Sequence, residues 1–238
     1  MTSRADGLIP MAERPESIKA TVIDVDGTIT DSNRLIQAHG IKALREVQSK
    51  GVVVMLSSGN VLPVAYGLST FIGLKGPVIA ENGGVVALRE EVHLLNDISL
   101  PLKAYGHLRT KMAVERLFTD RWRETEVALK KSVDPKAIQE VLKDWEVVVE
   151  TTGFAIHIME RGHSKFNGVR KAAELIGIDT KEIAAFGDSD NDVTMLRDCG
   201  FGIAVANASP AARSAATLIT KSPHSDGVIE GLQWLGLI

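Results

Sequence analysis

The feature that most limits the fold of this chain is a rhythm that stops and later resumes. From residue 20 to 84 apolar strands alternate with amphipathic helices. The segment 20–25 reads as a strand, 36–50 as a helix ended by Gly51, 52–56 as a strand, 61–71 as a helix and 77–80 as a short strand. The run VVVML over 52–56 is apolar at every position, which suits a strand buried on both faces of a parallel sheet. From Ser164 the rhythm returns: a helix over 165–177, a strand over 183–186, a helix over 191–198, a strand over 202–205, a helix over 209–215 and a strand over 217–220. Such alternation predicts an α/β fold built on a doubly wound parallel sheet.

The interval between the two halves follows other rules. VVALREEVHLLN alternates apolar and polar residues around a charged centre and reads as a β-hairpin. A helix is expected over about 99–118, a strand in TEVALKK, and a helix opening at Asp134-Pro135, with aspartate as cap and proline in the first turn. WEVVVE and FAIHIME then read as antiparallel strands joined around Thr151-Thr152-Gly153. The expected organisation is a core of residues 18–84 and 161–238, split by an inserted α+β unit over 85–160. Residues 1–17, with Pro10 and Pro15, read as a loosely docked leader.

Composition narrows the function. A net charge of −3 gives no basic surface for nucleic acid. No uncharged apolar run is long enough to span a bilayer, and the polar N-terminal stretch lacks the apolar core of a signal peptide. Cys199 is the only cysteine, so no intrachain disulfide can form, and a cytoplasmic setting is expected. A homodimer is compatible with the sequence and not required by it.

Acidic residues gather where the expected strands end. Asp24 and Asp26 close the first strand, Ser57 and Ser58 the second, and Asp188, Asp190 and Asp192 follow the strand over 183–186; Lys165 opens the helix after the insertion. In open α/β sheets ligands sit beyond the carboxyl ends of the strands. Strand alternation would point Asp24 and Asp26 to one side. Either acidic loop alone reads as turn chemistry, but together, with a Ser-Gly loop and a lone lysine, they imply a cation. Oxygen ligands favour Mg²⁺. GDSDND imitates half of an EF-hand loop, yet Val193 and Cys199 stand where that loop needs Gly and Glu. There is no GxxxxGK[ST]. His157 and His163 lack zinc-like spacing and read as structural or surface residues, and Cys199 as a small apolar filler. Arg121 and Arg123 read as solvated, with a clamp on a substrate carboxylate as the sharper alternative.

On these residues the sequence resembles the haloacid dehalogenase superfamily of phosphatases. DVDGT (24–28) is similar to its first motif, Ser58 in SSGN to its second, Lys165 to its third and GDSDND (187–192) to its fourth. ENGG (81–84), IAVANA (203–208) and DGV (226–228) resemble its Cof-type branch, and within it the archaeal phosphoglycolate phosphatases; many relatives carry arginine where Asn60 stands. The resemblance implies a Rossmann-like core with an inserted α+β cap that reads the leaving group, and a small phosphomonoester as substrate. It implies that Asp24 is the nucleophile and Asp26 the acid/base. Ser58, Lys165 and Thr28 would contact phosphate or close the loop. Asp24, the Asp26 carbonyl and Asp188 would hold Mg²⁺, and Asp192 would either ligate it too or hold its waters and Lys165 in place. The alternatives are a sugar phosphatase or phosphomutase on the same core and, from another class, a receiver-like phosphorylation switch, against which the long insertion and the Asp24-x-Asp26 pair argue.

Overall fold

The computed structural model describes Pro15 and residues 17–238; the expected leader therefore lies almost wholly outside the described residues. In chain order the regular elements are β1 (Ala20–Asp24), α1 (Ala38–Ser49), β2 (Val53–Ser57), α2 (Leu62–Ile72), β3 (Val78–Ala80), β4 (Val85–Leu88), β5 (Glu91–Leu94), α3 (Ser99–Leu108), β6 (Glu126–Leu129), α4 (Pro135–Val141), β7 (Val147–Thr151), β8 (Ile156–Glu160), α5 (Lys165–Ile176), β9 (Ile183–Gly187), α6 (Val193–Asp198), β10 (Phe201–Ala204), α7 (Pro210–Ala215), β11 (Leu218–Ile219) and α8 (His224–Leu235).

Eight strands form one mixed, mostly parallel sheet in the order β11-β10-β9-β1-β2-β3-β4-β5. β1 lies between β2 and β9, parallel to both, so the chain winds outward from it in each direction. Its side chains alternate between two cores. Ile23 packs with Leu44 of α1 and with Val228 and Leu232 of α8, whereas Val22 packs with Val169 and Ala172 of α5 and Met195 of α6. On α5, Val169, Ala172 and Ala173 recur at helical spacing, which is why that face turns to the sheet. Cys199 fills the same core, as expected of an apolar filler, and burial pushes its thiol up to about 12. No helix among the described residues is long and apolar enough to cross a membrane.

A separate three-stranded antiparallel sheet, β6-β8-β7, has its own core of Leu108, Val127, Ile138, Leu142, Ile156 and Ile158. Asp134 caps α4, accepting the Lys136 amide at 3.0 Å. Two expectations need correction. The hairpin β4–β5, read as the start of the insertion, continues the large sheet, with β4 antiparallel to β3. The helix expected over about 99–118 stops at Leu108. Downstream, Glu115 and Leu117 are drawn into backbone hydrogen bonds with Lys130 and Ala128, and this pairing overrides helix propensity. Helix α8 was not foreseen, although Val228, Leu232 and Leu235 carry its spacing.

Candidate active site

Asp24 ends β1 at the centre of the sheet, Ser58 follows β2 and Asp188 follows β9, so all three stand at the carboxyl edge where the winding direction switches. Lys165 enters from the first turn of α5. It can approach because Gly83 packs against this turn: a Cβ there would lie 2.1 Å from the Ser164 carbonyl oxygen. The lysine is fully buried, its Nζ 2.5 Å from Asp24 Oδ1 and 2.6 Å from Asp192 Oδ1. Asp192 Oδ2 accepts the amides of Asp188 and Ser189, both at 2.9 Å, which closes the GDSDND turn. Gly27 is left-handed (φ 98°), and a Cβ on it would meet Asp188 Oδ2 at 2.4 Å. Thr28 donates to Asp188 Oδ1 at 2.8 Å, so its hydroxyl serves to close the loop.

Asp24, Asp188 and Asp192 each offer an oxygen within 4.8 Å of the others. One ammonium faces three carboxylates. Burial, reinforced by Asp192, raises the Asp24 carboxyl well above its ordinary pKa, although Lys165 opposes the shift. Asp188 is raised to about 6, first by burial and then by Asp192. For Lys165 burial works against the charge, but Asp192 and Asp24 outweigh it and hold the pKa above its ordinary value. Asp24 Oδ2 is buried with no hydrogen-bond partner. An unanswered carboxylate oxygen inside a surplus of negative charge fits a divalent cation, and an all-oxygen donor set suits Mg²⁺.

Asp26 takes another position. β1 ends at Asp24, so the strand alternation expected to align the two carboxylates does not extend to residue 26. Its Oδ2 accepts Asn60 Nδ2 at 2.8 Å and its Oδ1 accepts Arg34 Nε at 2.8 Å. Asn60 also donates to the Ser58 hydroxyl, from its amide at 3.0 Å and from Nδ2 at 3.2 Å, leaving the Ser58 proton free to donate outward. Asp24 and Asp26 still line one small void of about 10 Å³, roofed by Thr152, Gly153 and Phe154 of the β7–β8 turn. That is room for about one water. Outside it lies a cavity of 230 Å³ lined by Asp26, Arg34, Asp188, Gly153 and Phe154 among others. Roomier cavities occur elsewhere, for instance 530 Å³ beside Leu88–Glu91, but they hold none of these carboxylates.

Sequence reading missed Arg34, Phe154 and the clamp on Gly27, whose carbonyl accepts Asn207 Nδ2 at 2.9 Å and faces His224 Nδ1 at 2.8 Å. Only Asn207 had a signal, inside IAVANA. One other expectation is corrected. Arg123 is buried, not solvated: it pairs with Glu126 and donates to the Gly59 carbonyl at 2.9 Å, tying the small sheet to the SSGN loop. Arg121 is exposed against Trp122, 5.4 Å from its ring centroid, and lines neither cavity over the acidic cluster. His157 and His163 are structural. His157 sits between Glu126 and Thr152, and His163 donates to the Glu81 carbonyl at 2.7 Å; burial lowers the pKa of both.

The description of haloacid dehalogenase-like hydrolases matches residues 21–113 and 121–232. The chain belongs to the haloacid dehalogenase-like hydrolases. It is similar to the phosphoglycolate phosphatase of Methanothermobacter thermautotrophicus, 38% identical over 216 residues, covering 91% of this chain and 98% of that protein. The phosphoglycolate phosphatase of Archaeoglobus fulgidus is 38% identical over 223 residues, covering 92% and 98%. Among solved structures, a Thermoplasma acidophilum protein superposes with a TM-score of 0.87 at 29% identity, over 94% of this hydrolase and all of that chain. A sugar phosphatase of haloacid dehalogenase subclass IIB shares the fold, with a TM-score of 0.78 at 20% identity over 92% and 100%.

Proposed function

We propose that this hydrolase cleaves 2-phosphoglycolate to glycolate and phosphate through an aspartyl-phosphate on Asp24, with Mg²⁺ as cofactor. The observation that carries the reading is Asp24 itself: it ends the central strand, its Oδ1 is held by Lys165, and its Oδ2 is buried and unanswered. The substrate assignment draws on relatives of that name that align along nearly their whole length.

A carboxylate approaching a phosphate dianion is opposed by Coulomb repulsion, so catalysis rests on positioning and charge neutralisation. Lys165 supplies the buried positive charge and fixes the carboxylate's rotamer. The Ser58 hydroxyl donates to a phosphate oxygen. When Asp24 bonds to phosphorus, the bond to the ester oxygen breaks, and Asp26 protonates the leaving alkoxide. Asp26 then removes a proton from water, the water oxygen attacks phosphorus, and phosphate departs from Asp24. Asn60 and Arg34 hold both Asp26 oxygens and so set the direction of that proton transfer. Mg²⁺, held by Asp24, Asp188 and the Asp26 carbonyl, would neutralise charge on the phosphate. Asp192 has both oxygens engaged, Oδ1 with Lys165 and Oδ2 with two amides, and serves as a positioning residue. With so small a void over Asp24, the β7–β8 turn must lift to admit substrate and close again to exclude water. The buried, unpaired Cys199 suits a reducing compartment such as the cytoplasm.

The test is a panel of phosphomonoesters assayed with Mg²⁺ and with chelator. The expected result is multiple turnover of 2-phosphoglycolate, at a kcat/KM about tenfold or more above that of glucose 6-phosphate, abolished by chelation. Faster turnover of the sugar phosphate, transfer of phosphate to a second sugar, or a single stoichiometric phosphorylation would each overturn it.

A further inference from the structure

The residue that reads the leaving group is unassigned, since Arg123 is engaged in the core and Arg121 lies off the cavity. Arg34 stands at the mouth, and its loop is built to hold it there. An isolated Thr30–Ile36 bridge closes the loop's neck. Inside it the Asp31 carboxylate accepts the amides of Asn33 at 2.8 Å and Leu35 at 3.0 Å, and Gln37 Nε2 at 3.1 Å. The Arg34 amide donates to the Asp31 carbonyl at 2.9 Å. Arg34 itself is left-handed (φ 62°), a conformation that strains a non-glycine residue and persists where neighbours impose it.

From that tip the side chain reaches Asp26 through Nε, while its Cζ lies 4.9 Å from the centroid of Phe154. Phe154 comes from the β7–β8 turn and meets His157 edge-on, with centroids 5.7 Å apart. Core loop and small-sheet turn thus hold the guanidinium between them. Both Nη atoms lack a partner among the described residues, and the side chain, 55% exposed, lines the 230 Å³ cavity, so the planar fork is free to bind there. The other charged lining residues are Asp26, Asp31 and Asp188, all acidic. An anionic leaving group could not settle there without this one cation. Glu150 of β7 lines neither cavity.

The geometry points to Arg34 as the residue that selects a leaving alcohol carrying a carboxylate, by a bidentate fork of its free Nη donors. Asp26 must touch the ester oxygen to protonate it, and Arg34 is bonded to Asp26. The fork therefore falls within reach of a carboxylate on the carbon next to the ester oxygen. Phe154 makes the reader complete only when the turn is closed. This deepens the phosphoglycolate reading and rests on it.

The experiment compares kcat/KM for 2-phosphoglycolate and 2-hydroxyethyl phosphate, which differ in carboxylate against hydroxymethyl, in wild type, Arg34→Ala, Arg34→Lys and Phe154→Ala, with Mg²⁺ present. In Arg34→Ala the ratio of the two values falls about 100-fold, the scale of losing one partner of a charged hydrogen-bonded pair. Arg34→Lys, which keeps the charge and loses the fork, recovers part of the ratio. Phe154→Ala lowers it about threefold, as an exposed cation–π contact implies. Equal losses on both substrates, or an unmoved ratio, overturn the inference and leave the phosphoglycolate reading intact. A wild type with no preference for 2-phosphoglycolate defeats both.

Discussion

Two buried polar clusters lie on either side of the β7–β8 turn, and they are finished differently. At the base of the small sheet, Glu126 has Oε1 against Arg123 and His157 and Oε2 against Asn82, and Glu81 accepts two amides and the Thr125 hydroxyl. Each carboxylate oxygen there is answered by the protein. At the rim of the large sheet, three carboxylates share one lysine and Asp24 Oδ2 has nothing. A buried carboxylate oxygen without a partner costs stability unless something outside the chain completes it. The first cluster joins two sheets; the second is shaped for what arrives and leaves.

The contrast is sharpest if each cluster is cut where it acts. Asp24→Asn keeps the side chain's size and the Lys165 contact but removes the proposed nucleophile. Turnover is expected to fall about 10⁴-fold or more with the circular dichroism spectrum unchanged, and undiminished activity would end the assignment. Arg123→Met leaves Glu126 buried beside a neutral neighbour. Unfolding free energy by urea titration should drop by about 3 kcal/mol, the range for removing one partner of a buried pair. If that variant were as stable as wild type, the first cluster would not be the structural one.

The smallest effect is a pH dependence. Asp188 has a folded-state pKa raised to about 6 from 3.8, and burial raises Asp24 also. For a carboxyl so raised, the stabilising contribution is fully present below the unfolded value and is lost as pH rises through the folded one. Chelated protein should therefore lose on the order of 2 kcal/mol from this source between about pH 4 and pH 7. Subtracting the same profile of Asp188→Asn isolates the contribution. Saturating Mg²⁺ should flatten the loss, since a cation favours the charged forms.

Much of this was legible in the sequence because strands buried on both faces leave uninterrupted apolar runs, and motif loops follow their ends directly. Asp24, Ser58, Asp188 and Lys165 could be placed at one rim on that basis. The hairpin at 85–94 could not be allotted to a sheet, since apolar–polar alternation is the same whichever neighbour it joins. Arg34 was invisible for another reason: its direction depends on a left-handed backbone at a residue that gives no sign of it. Arg123 shows the same limit, because an arginine amid charges looks solvated until its partners across the sheet gap are known.

The position of β1 between β2 and β9 has a consequence for synthesis. The strand that bears Asp24 emerges before both of its neighbours, and one of them is encoded after the whole small-sheet unit, as are the lysine and the acidic turn. A nascent chain halted midway leaves one edge of the central strand unpaired and lacks the lysine and the acidic turn. The carboxyl edge is complete only once residues 183–192 have been made, and until then that open edge is a target for chaperones.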